Sequence, residues 1–535
     1  MKVQSFLINL ATTLFFVLTL AVFAGAGHSL TDPIGIESNR VNLPRSAKFV
    51  PKQTSLTLQW MIDSKKIPQY FESVTGINQS KESLEAFKNL RDGLFALAGL
   101  DFEADLAEWI GAEVSFALFE SNESQKPIEW IMTLSSIEKN AAKNFLERFW
   151  QQERLQGKDL EIEDYRGIGV ISGKRNTANS NTSQLATALI EDDLLLIGSD
   201  RNTLKTSLNI SQLENQNQFK DKNIIEKIEN LHDGMAIITL SRKALNTFLE
   251  LPIETTKTMD ENAFIGTLDK NGKDLTLDAI LQFQEPLSFI NQAYKDDESS
   301  LIKASTGAAE GLGILYSPYQ ILKEGNRDPF IQWIAKLLVD KLEKAEGVAT
   351  KAIVGLDQGL LMWVQEPDGL VLGTRNGNPV ISDVEEVLKQ DNQLKSNLKI
   401  DNQELEVWSK LITNKVNNNT TIETKLGLIL SRESENNWWA ESLTALQQRQ
   451  EAGLEKRKRQ LELLNSKETS QPWIQLALND KQAQELFNRW APWRLLQSIA
   501  GSSLKPVLQG LALSIAPDLA LDESNLTLHA SIQIG

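Results

Sequence analysis

AFIGTLDKNGKDLTLDAILQF, residues 263–283, alternates apolar and polar side chains on both sides of Asn271-Gly272. A period of two places every second side chain on one face of an extended strand. Asn-Gly supplies the left-handed backbone of a tight connection, so the stretch predicts an antiparallel hairpin. GLALSIAPDLALDESNLTLHASIQI, residues 510–534, carries the same pattern and ends the chain as the first hairpin ends its opening half.

Four further correspondences run in the same order. PWIQLALNDKQAQELF (472–487) matches GMAIITLSRKALNTFL (234–249), and TKLGLILS (424–431) matches TALIEDDLLLIGS (187–199), where Asp192-Asp193 suits a tight turn. NLKIDNQELEVWSKL (397–411) matches DLEIEDYRGIGVIS (159–172). GLLMWVQEPDGLVLGT (359–374) matches the strands AEVSFALFE (112–120) and IEWIMTL (128–134). Helical spacing is confined to shorter stretches, such as Leu84, Phe87, Leu90, Leu94 and Leu97, and residues 144–150. Strand, turn, strand outnumbers strand, helix, strand, which argues against a doubly wound parallel sheet.

The expected fold is therefore α+β: an N-terminal transmembrane helix followed by two tandem related units with largely antiparallel sheets and packed helices. The expected organisation is a signal anchor or signal peptide at 1–26 and a stalk at 27–53. A first unit follows at 54–285, then a linker at 286–305 and a second unit at 306–535 with a helical insertion at about 437–465.

The N-terminal expectation rests on FLINLATTLFFVLTLAVFAGA, residues 6–26. About 20 apolar residues match the hydrocarbon thickness of a bilayer, which favours a retained anchor, whereas Ala24-Gly25-Ala26 offers the small residues of a cleavage site. Either way the bulk of the chain is expected outside the cytoplasm. The chain contains no cysteine, which excludes disulfides, a thiol nucleophile, thiolate metal sites and a lipidated cysteine. A net charge of -16 argues against nucleic acid, because neutralising phosphates requires clustered Lys and Arg. Three dispersed histidines, His28, His232 and His529, do not make a metal centre by themselves.

No catalytic or cofactor motif emerges. GIGVISGKR (167–175) has the wrong glycine spacing for a phosphate loop, and Arg175 stands where a Ser or Thr would hold magnesium, so it reads as a strand. DKNGKD (269–274) has the composition of a calcium loop with its glycine two places early, and reads as a hairpin turn. Asp101, Glu103, Asp105 and Glu108 suit the capped first turn of a short helix better than an acid and base pair. His232-Asp233 precedes Gly234 at a strand start and His529 alternates into the last strand, and with no activated serine motif such as G-x-S-x-G a triad is combinatorics.

The basic run Lys456-Arg457-Lys458-Arg459 could meet an acidic partner or anionic headgroups, although Glu451, Glu455 and Glu462 flank it at helical spacing. Trp438-Trp439, and Trp490 and Trp493 within FNRWAPWRLL (487–496), could form an interaction surface or pack in the core.

Ala47-Lys48-Phe49-Val50-Pro51-Lys52, GLDFEADLAEWIGAEVSFAL from Gly99 and NFLERFWQ from Asn144 resemble a bacterial family, chiefly cyanobacterial, catalogued as domain of unknown function 3352. The resemblance is specific in the first half and eroded in the second. It implies an envelope or thylakoid-associated protein without assigned activity, and it carries no catalytic residues over.

The expected function is a non-enzymatic, membrane-tethered, extracytoplasmic protein that binds a protein partner or assembles a membrane complex, without cofactor. The alternatives are a periplasmic or lumenal carrier of an apolar ligand, and a hydrolase with an unrecognised carboxylate site.

Overall fold

A computed structural model describes residues 43–61, 89–119 (except 90, 94 and 97), 129–175, 185–213, 215–231, 234–248, 251–271, 274–287, 299–305, 309–324, 328–344, 348–377, 379–400, 403–416, 419–433, 435–450, 472–489, 494, 497, 508–518 and 524–534.

Among the described residues ten strands build the first half: β1 Thr54–Met61, β2 Ile110–Phe119, β3 Trp130–Ser136, β4 Lys158–Tyr165, β5 Ile168–Arg175, β6 Ala186–Ile190, β7 Leu194–Gly198, β8 Ala236–Leu240, β9 Met259–Asn271 and β10 Asp274–Phe283. Ten more build the second: β11 Gly311–Tyr316, β12 Leu360–Glu366, β13 Gly369–Arg375, β14 Leu394–Ile400, β15 Gln403–Val416, β16 Asn419–Arg432, β17 Asn436–Ala440, β18 Ile474–Asn479, β19 Leu508–Pro517 and β20 Asn525–Ile534.

Among the described residues these strands all pair antiparallel in one 20-stranded sheet. Its first half runs β4-β5-β6-β7-β3-β2-β1-β8-β9-β10. β10 then pairs with β20, and the second half continues β20-β19-β18-β11-β12-β13-β17-β16-β15-β14. Read from each outer edge inward, the two halves have the same connectivity. They meet through equivalent strands, as if related by a two-fold axis through the β10–β20 ladder.

This corrects the expected fold class. The halves are not separate units: one antiparallel sheet passes through both, and one apolar core follows it. That core joins Leu56, Trp60, Phe116 and Leu134 of the first half to Phe330, Ile334, Ile515 and Leu526 of the second. Phe283 meets Phe330 edge-on at 5.1 Å, and the Thr255 hydroxyl donates to the Pro329 carbonyl. The N-terminal transmembrane helix is also corrected: among the described residues no helix is long and apolar enough to cross a membrane. Residues 6–26 themselves lie outside the described residues.

Two boundaries move as well. The end of the expected stalk is docked, since Arg45–Phe49 forms a helical turn whose Ser46 and Ala47 are buried. Arg45 ties it to Asp193 at 3.2 Å, with Glu113 and Glu191 nearby. Burial opposes its charge, but these carboxylates outweigh that and raise the guanidinium above its ordinary value.

The helix expected from Asn437 is displaced too. Residues Asn436–Ala440 form strand β17, the counterpart of β7, and the helix begins at Leu443 behind a Ser442 cap that accepts from Ala445 N. Five consecutive buried residues carry no alternation, so this strand lacked its period-two signal.

Candidate functional site

Side chains opposite one another in an antiparallel ladder share a face. In the central ladder Asp274 pairs with Gln533 and Gln282 with Asn525, which makes Asp278 and His529 the middle pair. His529 Nδ1 lies 2.5 Å from Asp278 Oδ1, with both side chains about one-sixth exposed (17% and 15%). Thr267 of β9 flanks Asp278, while Ser514 of β19 and then Gln475 of β18 flank His529. A polar row thus crosses the pseudo-dyad. A carboxylate on one imidazole nitrogen fixes the ring's orientation.

Sequence reasoning passed over this pair because Asp278 and His529 are 251 positions apart. The signal was nevertheless present: the two closing hairpins match, and these residues occupy equivalent places in their last strands.

Other sequence candidates resolve differently. GIGVISGKR contributes strand β5 between β4 and β6. Asn271 and Asp274 close the β9–β10 hairpin as a cross-strand pair, with Gly272 between them outside the described residues. Asp101 caps the turn Phe102–Leu106 by accepting from Ala104 N, and Asp105 accepts from Asp101 N. Glu103 pairs with Arg91 at 3.0 Å, so these acids do not converge.

Trp438 and Trp439 are buried in the cores on opposite faces of β17. Lys456, Arg457, Lys458, Arg459, Trp490, Trp493 and His232 lie outside the described residues. Among the described residues no cluster of three His, Asp or Glu is arranged to hold a metal ion. A shallow open cleft lined by Ser382, Glu385, Glu386, Lys389 and Gln390 sits on the helix Ile381–Gln390, with charged walls unsuited to an apolar ligand.

The two outer ends of the sheet differ. At the β4 end the helix Arg201–Ser211 covers the face that carries Val170, packing Leu204 and Leu208 against it. Arg201 pairs with Glu161 at 2.6 Å and also with Glu163, Lys205 with Glu163 at 2.7 Å, and Tyr165 donates to Asn209 at 2.8 Å.

At the β14 end the helix after β17, Leu443–Gln448, is short and packs Ala445 and Leu446 into the core near β13 and β17. Beyond it, β14, β15 and β16 extend as a ribbon. Leu394 opposite Ser409, Ser409 opposite Leu426, Leu411 opposite Thr424, and Thr413 opposite Ile422 share the face of buried Leu405 and Val407. On that face Leu394 (63%), Leu398 (47%), Leu411 (58%), Ile422 (71%) and Leu426 (37%) are exposed. Lys395, Lys410, Glu423 and Lys425 point to the opposite face. Counting back from the hairpin-closing pairs Tyr165–Ile168 and Ile400–Gln403, Leu394, Ser396 and Leu398 stand where the first half has Asp159, Glu161 and Glu163.

The model of the family described as Protein of unknown function (DUF3352) matches residues 11–532. No curated protein and no solved structure matches the chain.

Proposed function

We infer, for a chain that belongs to the DUF3352 family of proteins of unknown function, a non-enzymatic role in which an extracytoplasmic body binds protein and helps assemble a membrane complex. The observation that carries this reading is the apolar face that the described side chains of the β14–β16 ribbon present. Five large aliphatic side chains share it, and contiguous exposed apolar surface of this kind marks interaction sites, whereas isolated exposed aliphatics do not. The apolar run at 6–26 supports placement outside the cytoplasm, in the periplasm or a thylakoid lumen, in association with a membrane. Crosslinking in native membranes tests the reading. Wild type is expected to yield discrete adducts that Leu411→Glu/Ile422→Lys abolishes, and an identical adduct pattern from both proteins would refute it.

A second reading follows from the His529–Asp278 pair beside Ser514: acid–base hydrolysis at the sheet centre. It requires ester hydrolysis by the purified chain that falls at least about 100-fold in His529→Asn. Rates equal in wild type and variant would eliminate it.

A further inference from the structure

We propose that the bare face of the β14–β16 ribbon is covered by the same face of a second copy of this chain, the two ribbons stacking face to face about a two-fold axis. The inference rests on the protein-binding reading of that face and names its occupant.

The internal repeat shows what the surface lacks. At the equivalent position of the first half a helix from the same chain covers the sheet, held by Arg201 and Lys205 on Glu161 and Glu163. In the second half the counterparts of those acids are Ser396 and Leu398, so a basic helix finds no counter-charge. The chemistry there instead suits an uncharged apolar surface.

The ribbon is itself such a surface. Among the described side chains, the exposed residues on that face are Leu394, Ser396, Leu398, Gln403, Leu411, Thr413, Ile422, Thr424 and Leu426, and none of these carries a charge. In a protein of net charge -16, most other surfaces would oppose self-association. On the opposite face Lys395 pairs with Glu385 and Glu406, and Lys410 with Asp391.

The area is sufficient. At roughly 100 Å² for each of the exposed aliphatic side chains, two copies cover on the order of 1,000 Å² before the intervening Ser and Thr residues are included, which reaches the lower bound of specific interfaces. Two sheets stacked about 10 Å apart interdigitate side chains of this size.

The test is the mass of the full-length chain in solution. Sedimentation equilibrium is expected to give twice the 59.9 kDa of one chain. Leu394→Lys/Ile422→Lys should weaken the dimer at least about 100-fold, since each copy then brings two like charges into an apolar contact. Both positions are exposed, so the circular dichroism spectrum should hold, and the melting temperature should lose only its dependence on protein concentration. Ile162→Lys, at the far end of the sheet, should leave the dimer intact. Because the chain has no cysteine, Leu411→Cys alone provides a clean oxidative crosslink between copies, expected in wild-type background and lost in the double variant. A monomer at tens of micromolar, a dimer that survives the double variant, or a monomer that uses the same face to adsorb to lipid vesicles would each overturn the proposal. The broader protein-binding reading fails separately, if native-membrane adducts are unchanged in Leu411→Glu/Ile422→Lys.

Discussion

Trp438 and Trp439 are adjacent in sequence yet serve different cores, because successive residues of a strand point to opposite faces. Trp438 donates to Glu433 at 3.0 Å and lies under the Arg449 guanidinium at 4.0 Å; Trp439 donates to Thr374 at 3.0 Å. Gly373 exists to make room, since a Cβ there would come within 2.5 Å of the Trp438 ring. Trp438→Ala should cost about 3–5 kcal/mol in urea unfolding, the range for emptying an aromatic site in a close-packed core. A loss under 1 kcal/mol would contradict the burial.

Arg449 is the charge in that core. Burial pulls its guanidinium below the ordinary value, while Glu433, to which it is hydrogen-bonded, and Glu366 act in the other direction. Arg449→Ala should destabilise by about 3 kcal/mol, and Arg449→Ala/Glu433→Gln by less than the sum of the single changes, because the double variant no longer leaves the Glu433 carboxylate without its cation. Additive losses would show that the pair is not coupled. The sequence leaves these tryptophans open to either a core or an interaction surface, and their placement on opposite faces depends on recognising β17, which short length and full burial conceal.

Elements with strong alternation were legible. The β9–β10 hairpin and the pairs β4–β5 and β12–β13 follow from alternation and turn chemistry, and Arg166 and Gly167 adopt the positive φ that a tight hairpin connection needs. What alternation did not show is how far a ribbon projects beyond its cover, because exposure depends on which other elements pack above it.

The root of that ribbon is pinned by polar contacts. Gln393 donates to Asp391 at 3.1 Å and Lys410 to Asp391 at 3.0 Å, and Gly427, at a bulge opposite Ser409, leaves room for the Gln393 amide. The hydrogen bond from Gln393, then that from Lys410, hold the Asp391 carboxyl below its ordinary 3.8 against a smaller opposing effect of burial. A carboxylate with a depressed folded-state pKa adds stability above its unfolded value and loses it as pH falls through the folded value. The stability gap between wild type and Asp391→Asn should therefore be full at pH 7 and close progressively below about pH 4. A gap that is constant from pH 7 to pH 2 would show that the effect is not ionic.

The continuity of the whole sheet was beyond reach of local pattern. Repeats in the sequence show that two halves share a plan, but the same evidence is compatible with two bodies on a tether. The physical reason for one body lies in β10. As the last strand of its half, it would end the sheet with an unpaired edge while Leu275, Ala279 and Leu281 occupy the buried face, an edge prone to wrong pairing. β20 has the same need, and the two satisfy each other along nine residue pairs from Asp274–Gln533 to Gln282–Asn525. The shared apolar core then crosses the junction through Ile515 and Leu526 to Phe330 and Ile334. Neither half can expose its last strand without also exposing that core, so the two should unfold together despite the length of the chain. Calorimetry of the full chain should show one transition. Leu526→Ala, at the fully buried junction, should lower the stability of that whole transition by about 2–5 kcal/mol without splitting it. Two resolved transitions in wild type, with only the later half responding to Leu526→Ala, would show that the halves fold as independent bodies and that the β10–β20 ladder merely brings them into contact.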